Sequence, residues 1–207
     1  MRNKDIIDKI YITNLKDGIC HLFSYCVEDK NNVKDKLRGI VILMALNIVL
    51  VEPEIPQNTG NIVRTCAATG SILHLVGPLG FSIEDKYLKR AGLDYWNSAE
   101  ILYHDNLVEF LNKYGNNKLY YSTTKAINKY SDVKFEDDCF ILFGKETAGL
   151  PEELLKEHKE TCIRIPMKES IRSLNLSNSV AIVVYEALRQ QNFKNFETEG
   201  HLAKYEW

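Results

Sequence analysis

Arg172, Ser173, Asn175, Ser177 and Asn178 crowd hydrogen-bonding side chains into one short stretch. They stand at the mouth of a run from Leu174 in which apolar residues recur densely enough for a helix buried on most sides. The first turn of any helix leaves backbone N–H groups without partners. One polar residue, Ser173 or Asn175, meets that need as an N-cap. This helix also opens with Ser177, Asn178 and Ser179, all poor helix formers. The surplus of polar groups points the helix end at a ligand or at a partner chain, and the chemistry it offers is hydrogen-bonded recognition. Just before it, Ile163 and Ile165 form a short strand that Pro166 stops, so Met167 to Ser173 is a polar loop held between two buried elements.

Two further loops carry the same kind of chemistry. Ser122 to Lys125 and Gly144 to Gly149 each follow a run of strand length, and ligands of open α/β sheets lie beyond the carboxyl ends of the strands. Gly144 has no Cβ and lets the backbone approach a ligand, where amides and carbonyls read the edge of an adenine. On that reasoning Gly144→Val removes the room the ligand needs. Other nucleotide sites are not written here. The first strand is followed by no Gly-x-Gly-x-x-Gly, and Gly144-Lys145 precedes Glu146 with Cys139 five residues upstream, so there is no P-loop. The cysteines at 20, 26, 66, 139 and 162 form no Cys-x-x-Cys pair, and no His-x-x-x-His lies near them. Neither a metal site nor a disulfide framework follows. Cys66, Cys139 and Cys162 read as small buried hydrophobes.

The elements that must position these loops alternate. Leu46 to Val51, apolar except for Asn47, suits the middle of a parallel sheet. Pro53 and Pro56 impose an extended turn, Asn58-Thr59-Gly60 opens a helix through Ala68, and Gly70 ends it. There follow a strand Ile72 to Val76, a turn at Gly77-Pro78, a charged helix near Glu84 to Ala91 and a strand Ala99 to Tyr103. A helix from Asn106 to Tyr114 then leads to a strand Lys118 to Thr123. From Thr124 to Asp138 periodicity fails. Cys139 to Phe143 is another strand, and Gly149-Leu150-Pro151 turns into a short acidic helix ahead of the closing stretch. This alternation predicts an α/β fold with a parallel sheet covered on both faces.

Three blocks, in order, resemble the SPOUT methyltransferases. They are Glu52-Pro-Glu-Ile-Pro-Gln-Asn-Thr-Gly-Asn-Ile-Val-Arg64, Phe143-Gly-Lys-Glu-Thr-Ala-Gly-Leu-Pro151, and Ile165-Pro-Met with Ser173-Leu-Asn-Leu-Ser-Asn-Ser-Val-Ala181. The similarity covers Met44 to Trp207 and is greatest to the small, single-domain branch that methylates the ribose of the tRNA wobble nucleotide. The resemblance implies a parallel-sheet fold with a C-terminal trefoil knot and S-adenosylmethionine as methyl donor, with no metal. It implies tRNA as substrate and a homodimer, with no DNA or membrane partner. Matching positions put cofactor contacts at Ser122, Gly144, Ile165 and Ser173. Lys125, Glu146 and Arg172 are the candidate substrate-binding residues, Glu146 as a structural or positioning group rather than a base.

Arg64 matches the arginine of the family's catalytic motif, proposed to assist deprotonation of the ribose 2′-hydroxyl. A guanidinium stays protonated and is a poor general base, so the physical reading is that Arg64 orients a phosphate or stabilises the developing alkoxide. The alternative is a surface arginine in a salt bridge. Asn58 orients Arg64 or the ribose, or is only a helix cap. Tyr185 matches a functionally important tyrosine of the family, against a core or interface role. The expected reaction is 2′-O-methylation of a wobble cytidine or carboxymethylaminomethyluridine in leucine tRNA. The alternatives are another RNA target such as ribosomal RNA, and a non-catalytic protein that binds S-adenosylmethionine or RNA.

The whole chain bounds these readings. Its 207 residues, 45% hydrophobic and 26% charged, are enough for one well-packed domain. A net charge of -2 and a pI near 6.2 argue against indiscriminate nucleic-acid binding. Lys86, Lys89 and Arg90, with Lys125 and Lys129 elsewhere, supply a local basic surface or are solvated faces. No apolar run approaches the roughly 20 residues of a membrane span, and the first residues lack the apolar core of a signal peptide, so a cytoplasmic location is expected. Residues 1–43 fall outside the resemblance and are expected to be dispensable, as an upstream or added segment; an accessory arm for RNA or dimer contacts is the alternative. Residues 44–207 form the methyltransferase domain. The helix from Leu174 to Arg189 is apolar around more of its circumference than one sheet face covers. The surplus is hidden in a two-fold dimer with the first helix, or under residues 1–43. In the dimer, a charge at Val183 or Val184 splits or unfolds the assembly.

Overall fold

The computed structural model describes residues 45–82 and 95–206. The strands are β1 (Asn47–Val51), β2 (Ile72–Val76), β3 (Ile101–His104), β4 (Leu119–Ser122), β5 (Asn128–Lys129), β6 (Phe140–Phe143) and β7 (Cys162–Arg164). They line up as β3-β2-β1-β6-β4-β7-β5, every neighbouring pair parallel. The helices are α1 (Pro56–Thr69), α2 (Leu107–Tyr114), α3 (Glu152–Glu157) and α4 (Leu176–Gln190).

Side chains alternate along β1 as the strand period requires. Ile48 and Leu50 join a core with Ile62, Val63 and Cys66 of α1 and with Val180, Val183, Val184, Ala187 and Leu188 of α4. Val49 and Val51 join the opposite core with Phe110 of α2 and Leu155 of α3. Both faces are therefore covered, which is why β1 reads as continuously apolar. Val183 and Val184 are 0% exposed within this one chain. A charge there lands in the chain's own core, which corrects the expectation that it tests a dimer contact.

The cap residues set the element boundaries. Pro56 is the first residue of α1 rather than part of an extended turn; its missing N–H and fixed φ suit that position. Asn58 consequently lies inside the first turn and is not the cap. Gly70 ends α1 with φ 66°, its N–H bonded to the Cys66 carbonyl. Asn106 caps α2 by accepting from the Glu109 N–H, and Asn175 caps α4 by accepting from the Ser177 and Asn178 N–H groups. The expected strand at Ala99 to Tyr103 is shifted to Ile101–His104. Thr124 to Asp138 contains the two-residue strand β5, paired with β7 at Asn128↔Ile163. The same segment sends Phe135 into the core, and the Tyr120 hydroxyl donates to the Lys134 carbonyl at 2.5 Å. The helix expected near Glu84 to Ala91, the basic group Lys86, Lys89 and Arg90, and residues 1–43 lie outside the described residues.

One polar chain crosses the interior. Asn47 Nδ2 donates to the Ala45 and Asp138 carbonyls, which leaves its Oδ1 as the acceptor for His74 Nε2 at 3.1 Å. His74 Nδ1 meets His104 Nε2 at 3.0 Å. His74 Nε2 donates to the Asn47 oxygen, and one proton is shared between the two imidazoles at their Nδ1–Nε2 contact. Both rings are buried among Phe110, Tyr114 and Phe140. Burial, the largest influence, holds the His104 imidazole below its usual value; nearby Glu109 opposes this and Lys113 adds to it. Cys66, Cys139 and Cys162 are buried free thiols, and burial pushes Cys66 up to about 12. Among the described residues no helix is long and apolar enough to cross a membrane.

Candidate active site

The loops that follow β4, β6 and β7 meet the N-terminus of α4 around a cavity of about 540 Å³. Parallel strands deliver their next residues to the same sheet edge, so three carboxyl ends converge here. Ser122, Gly144, Ile165 and Ser173, the expected cofactor positions, all line it. Lys125, Glu146 and Arg172 line it too, as does Asn58 from the start of α1. Arg64 and Tyr185 do not.

The wall from Phe143 to Leu150 is a loop folded on itself. The Gly149 N–H donates to the Lys145 carbonyl at 2.8 Å, and Gly149 takes φ 74°, which favours glycine. A Cβ on Gly144 would lie 2.1 Å from the Gly149 carbonyl carbon and 2.2 Å from the Leu150 nitrogen. Gly144 is thus required by the loop's own closure, a demand the sequence did not show, in addition to the backbone approach expected of it.

This loop is tied to the segment after β1. Lys145 Nζ pairs with Glu52 at 2.7 Å, and Glu52 adopts φ 51°. The Glu146 carboxylate accepts from the Glu54 N–H at 2.8 Å, the Ile55 N–H at 3.2 Å and Asn58 Nδ2 at 2.8 Å. Asn58 Oδ1 accepts from Asn175 Nδ2 at 2.9 Å, so the cap of α4 and the first turn of α1 are joined through one pair of amides. In return the Glu54 carboxylate accepts from the Thr147 N–H at 3.1 Å and its hydroxyl at 2.8 Å. Glu52, Glu54 and Thr147 had no role in the sequence reading. The two glutamates bracketing Pro53, beside a block containing Glu146, were the available signal.

Of the remaining candidates, Lys125 and Asn58 border the cavity and Arg64 and Tyr185 lie outside it. Lys125 pairs with Glu152 on the exposed rim, and this bond holds the Glu152 carboxyl below the usual carboxylate range. Asn58 is 5% exposed and bonds Glu146 and Asn175; its orienting partner is the loop wall, not Arg64. Arg64 projects from the exposed side of α1, its guanidinium 4.9 Å from the ring centroid of Tyr95. Tyr185 is 48% exposed on α4 beside Ile182, which is 36% exposed. Arg64 and Tyr185 therefore belong to the solvent side of the α1 and α4 layer rather than to the cavity. No group of three or more metal-ligating side chains occurs among the described residues.

The arrangement offers a small-molecule cavity with backbone groups at three strand ends. Its lining mixes the hydroxyls of Ser122, Thr123 and Ser173 with the apolar side chains of Ile165, Met167 and Leu176. A family model described as the SpoU rRNA Methylase family matches residues 45–185. The tRNA (cytidine(34)-2'-O)-methyltransferase of Escherichia coli (strain K12) is 48% identical over 149 residues, 72% of this chain and 95% of that protein. A solved structure described as giving insight into the 2-OH methylation of C/U34 on tRNA is 40% identical with a TM-score of 0.68, covering 72% of this chain and 98% of that one. An AdoMet-bound rRNA methyltransferase from Sinorhizobium meliloti is 26% identical with a TM-score of 0.63, covering 70% of this chain and 56% of that one.

Proposed function

The chain belongs to the SpoU rRNA Methylase family, and from that premise we propose that it methylates the ribose 2′-hydroxyl of the wobble nucleotide of tRNA, with S-adenosylmethionine as donor. The observation that carries this reading is the coincidence of the four matched cofactor positions in one cavity of about 540 Å³. That volume falls in the usual range for small-molecule sites, and the lining has apolar surface for a purine and hydroxyls for a ribose. Bound there, S-adenosylmethionine supplies a methyl group already activated on a sulfonium.

The protein's own residues then have three tasks. The loops at 122–125, 144–150 and 165–173 would hold the donor and present it to the acceptor hydroxyl. Asn58, Glu146 and Asn175 fix the wall of the cavity to the ends of α1 and α4. Arg64 offers its guanidinium donors to the acceptor side, where they would orient a phosphate or stabilise the 2′-oxygen as its proton passes to water. Its distance from the cavity of its own chain supports a homodimer in which one subunit's Arg64 serves the other's donor. The exposed Ile182 and Tyr185 on α4 are the apolar surface such an interface needs. We read the C-terminal loops as the trefoil knot of the fold family. The acceptor is a wobble cytidine or carboxymethylaminomethyluridine in leucine tRNA, reached in the cytoplasm.

The test is to map ribose methylation in tRNA from cells with and without this protein. The expected result is loss of the 2′-O-methyl group at the wobble position. An unchanged wobble nucleotide, with methylation lost from ribosomal RNA instead, overturns the choice of acceptor.

A further inference from the structure

Three consecutive loop residues, Lys145, Glu146 and Thr147, are each bonded to the segment that leaves β1, and the three bonds differ in kind. Lys145 to Glu52 is an ion pair whose side chains are both 35% exposed. Glu146 reaches inward to the Glu54 and Ile55 N–H groups and to Asn58. Thr147 is the exposed outer member, and both its N–H and its hydroxyl are taken by one carboxylate, that of Glu54. Glu54 and Glu146 thereby exchange partners: each carboxylate accepts a backbone N–H from the other's segment. Within itself the loop is closed by the bond from Gly149 to Lys145, and the carboxylates of Glu54 and Glu146 tie it to the segment after β1.

We propose that Glu54 is a positioning residue for the methyl donor: its grip on Thr147 latches the Lys145–Gly149 loop against the cavity and holds Gly144 to Leu150 in the shape that takes the donor. The inference rests on the reading of this cavity as the donor site. The chemistry fits the task. A carboxylate accepting from an N–H and a hydroxyl together makes charge-assisted bonds, stronger than neutral ones, and fixes the loop in two directions. Gly80 shows how closely Glu54 itself is held, since a Cβ there would lie 2.8 Å from Glu54 Cα, and the Gly80 N–H donates to the Pro53 carbonyl at 2.9 Å. Glu54 is therefore fixed from behind and free only to hold what lies in front.

The test uses the full chain and four variants, Glu54→Ala, Glu54→Gln, Thr147→Val and Thr147→Ser. Affinity for S-adenosylhomocysteine is read by calorimetry, and steady-state methylation of tRNA as a function of donor concentration. Glu54→Ala is expected to weaken donor binding about tenfold or more, the scale of a lost hydrogen bond to a charged group. Thr147→Val, which keeps the N–H bond, is expected to lie between Glu54→Ala and the wild type. Thr147→Ser retains both bonds and is expected to stay within about threefold, whereas Glu54→Gln keeps an acceptor but loses the charge and is expected to fall between Glu54→Ala and the wild type. In each case KM for the donor rises while kcat at saturating donor holds, a split that a general loss of folded protein does not produce. Wild-type affinity in both Glu54→Ala and Thr147→Val overturns the latch and leaves the donor site standing. No donor binding by the wild type overturns the donor site and the latch with it. Thr147 is exposed, so where Glu54→Ala fails to fold, wild-type affinity in Thr147→Val alone overturns the latch.

Discussion

Tyr121 carries a hydroxyl that is buried and has no hydrogen-bond partner among the described residues, under a ring stacked on His158 at 4.7 Å. Burial pushes this phenol up to about 12, so the group is neutral and simply unpaired. Tyr121→Phe removes the orphan without opening a cavity, and is expected to raise stability by about 1 kcal/mol, seen as a higher denaturant midpoint at unchanged slope. Gly144→Ala acts in the opposite direction. Its Cβ meets backbone at 2.1 Å and 2.2 Å, so the loop must open, and the expected result is loss of donor binding with a destabilisation of about 1–3 kcal/mol. A variant that binds normally shows that the loop relaxes without cost. At this scale the sequence singled out Gly144 for the approach of a ligand, and the structure adds the closure of the loop as a second demand on the same residue. The cavity positions were readable because each follows an apolar strand. The partners of Glu146 and Asn58 were not, because bonds between residues 54–58, 146 and 175 depend on which strand ends become neighbours.

Elements bring the two faces of α4 into contrast. Val183 is 0% exposed and Ile182 36% exposed, so one helix turn holds a core position beside a surface one. Val183→Asp is expected to unfold the chain, since an unpaired buried charge costs several kcal/mol. Ile182→Asp leaves the secondary structure intact by circular dichroism and, if α4 is the dimer face, converts the sedimenting species to a monomer. A folded dimer of Ile182→Asp moves the interface elsewhere. The histidine chain across β1, β2 and β3 adds a pH dependence. His104 in the folded state titrates below its ordinary value, so as pH falls the unfolded chain takes up the proton first. Stability is fully present above about 6.5, the ordinary histidine value, and declines as pH drops from there toward the lower folded value. The denaturation midpoint is expected to fall between neutral pH and about pH 5.5, and His104→Gln, which keeps a donor for His74, to flatten that slope. Most strands were legible as apolar runs bounded by glycine, proline or polar clusters. β5 was not, because two residues have no periodicity and are strand only by pairing with β7. Pro56 was misplaced because the same residue serves a turn or a first helical position, and only the chain behind it decides.

For the molecule as a whole, alternation of strand and helix announced a parallel α/β sheet, yet the order of its strands was beyond any local pattern. β1 lies between β2, its near neighbour in the chain, and β6, with Asn47 opposite Phe140. That order makes the candidate site, because it sets the segment after β1 beside the loop after β6. It also governs how the protein comes into being. A ribosome adding about 5–20 residues per second delivers β6 roughly 5–20 seconds after β1. In that interval β1 has β2 on one side only, and its other edge, with Ile48, Val49 and Leu50, offers unpaired N–H and carbonyl groups to any strand that passes. The interior strand of the finished sheet is thus an edge strand until β6 is made, and for that part of synthesis the nascent chain is open to mispairing at the very element on which the mature core is built.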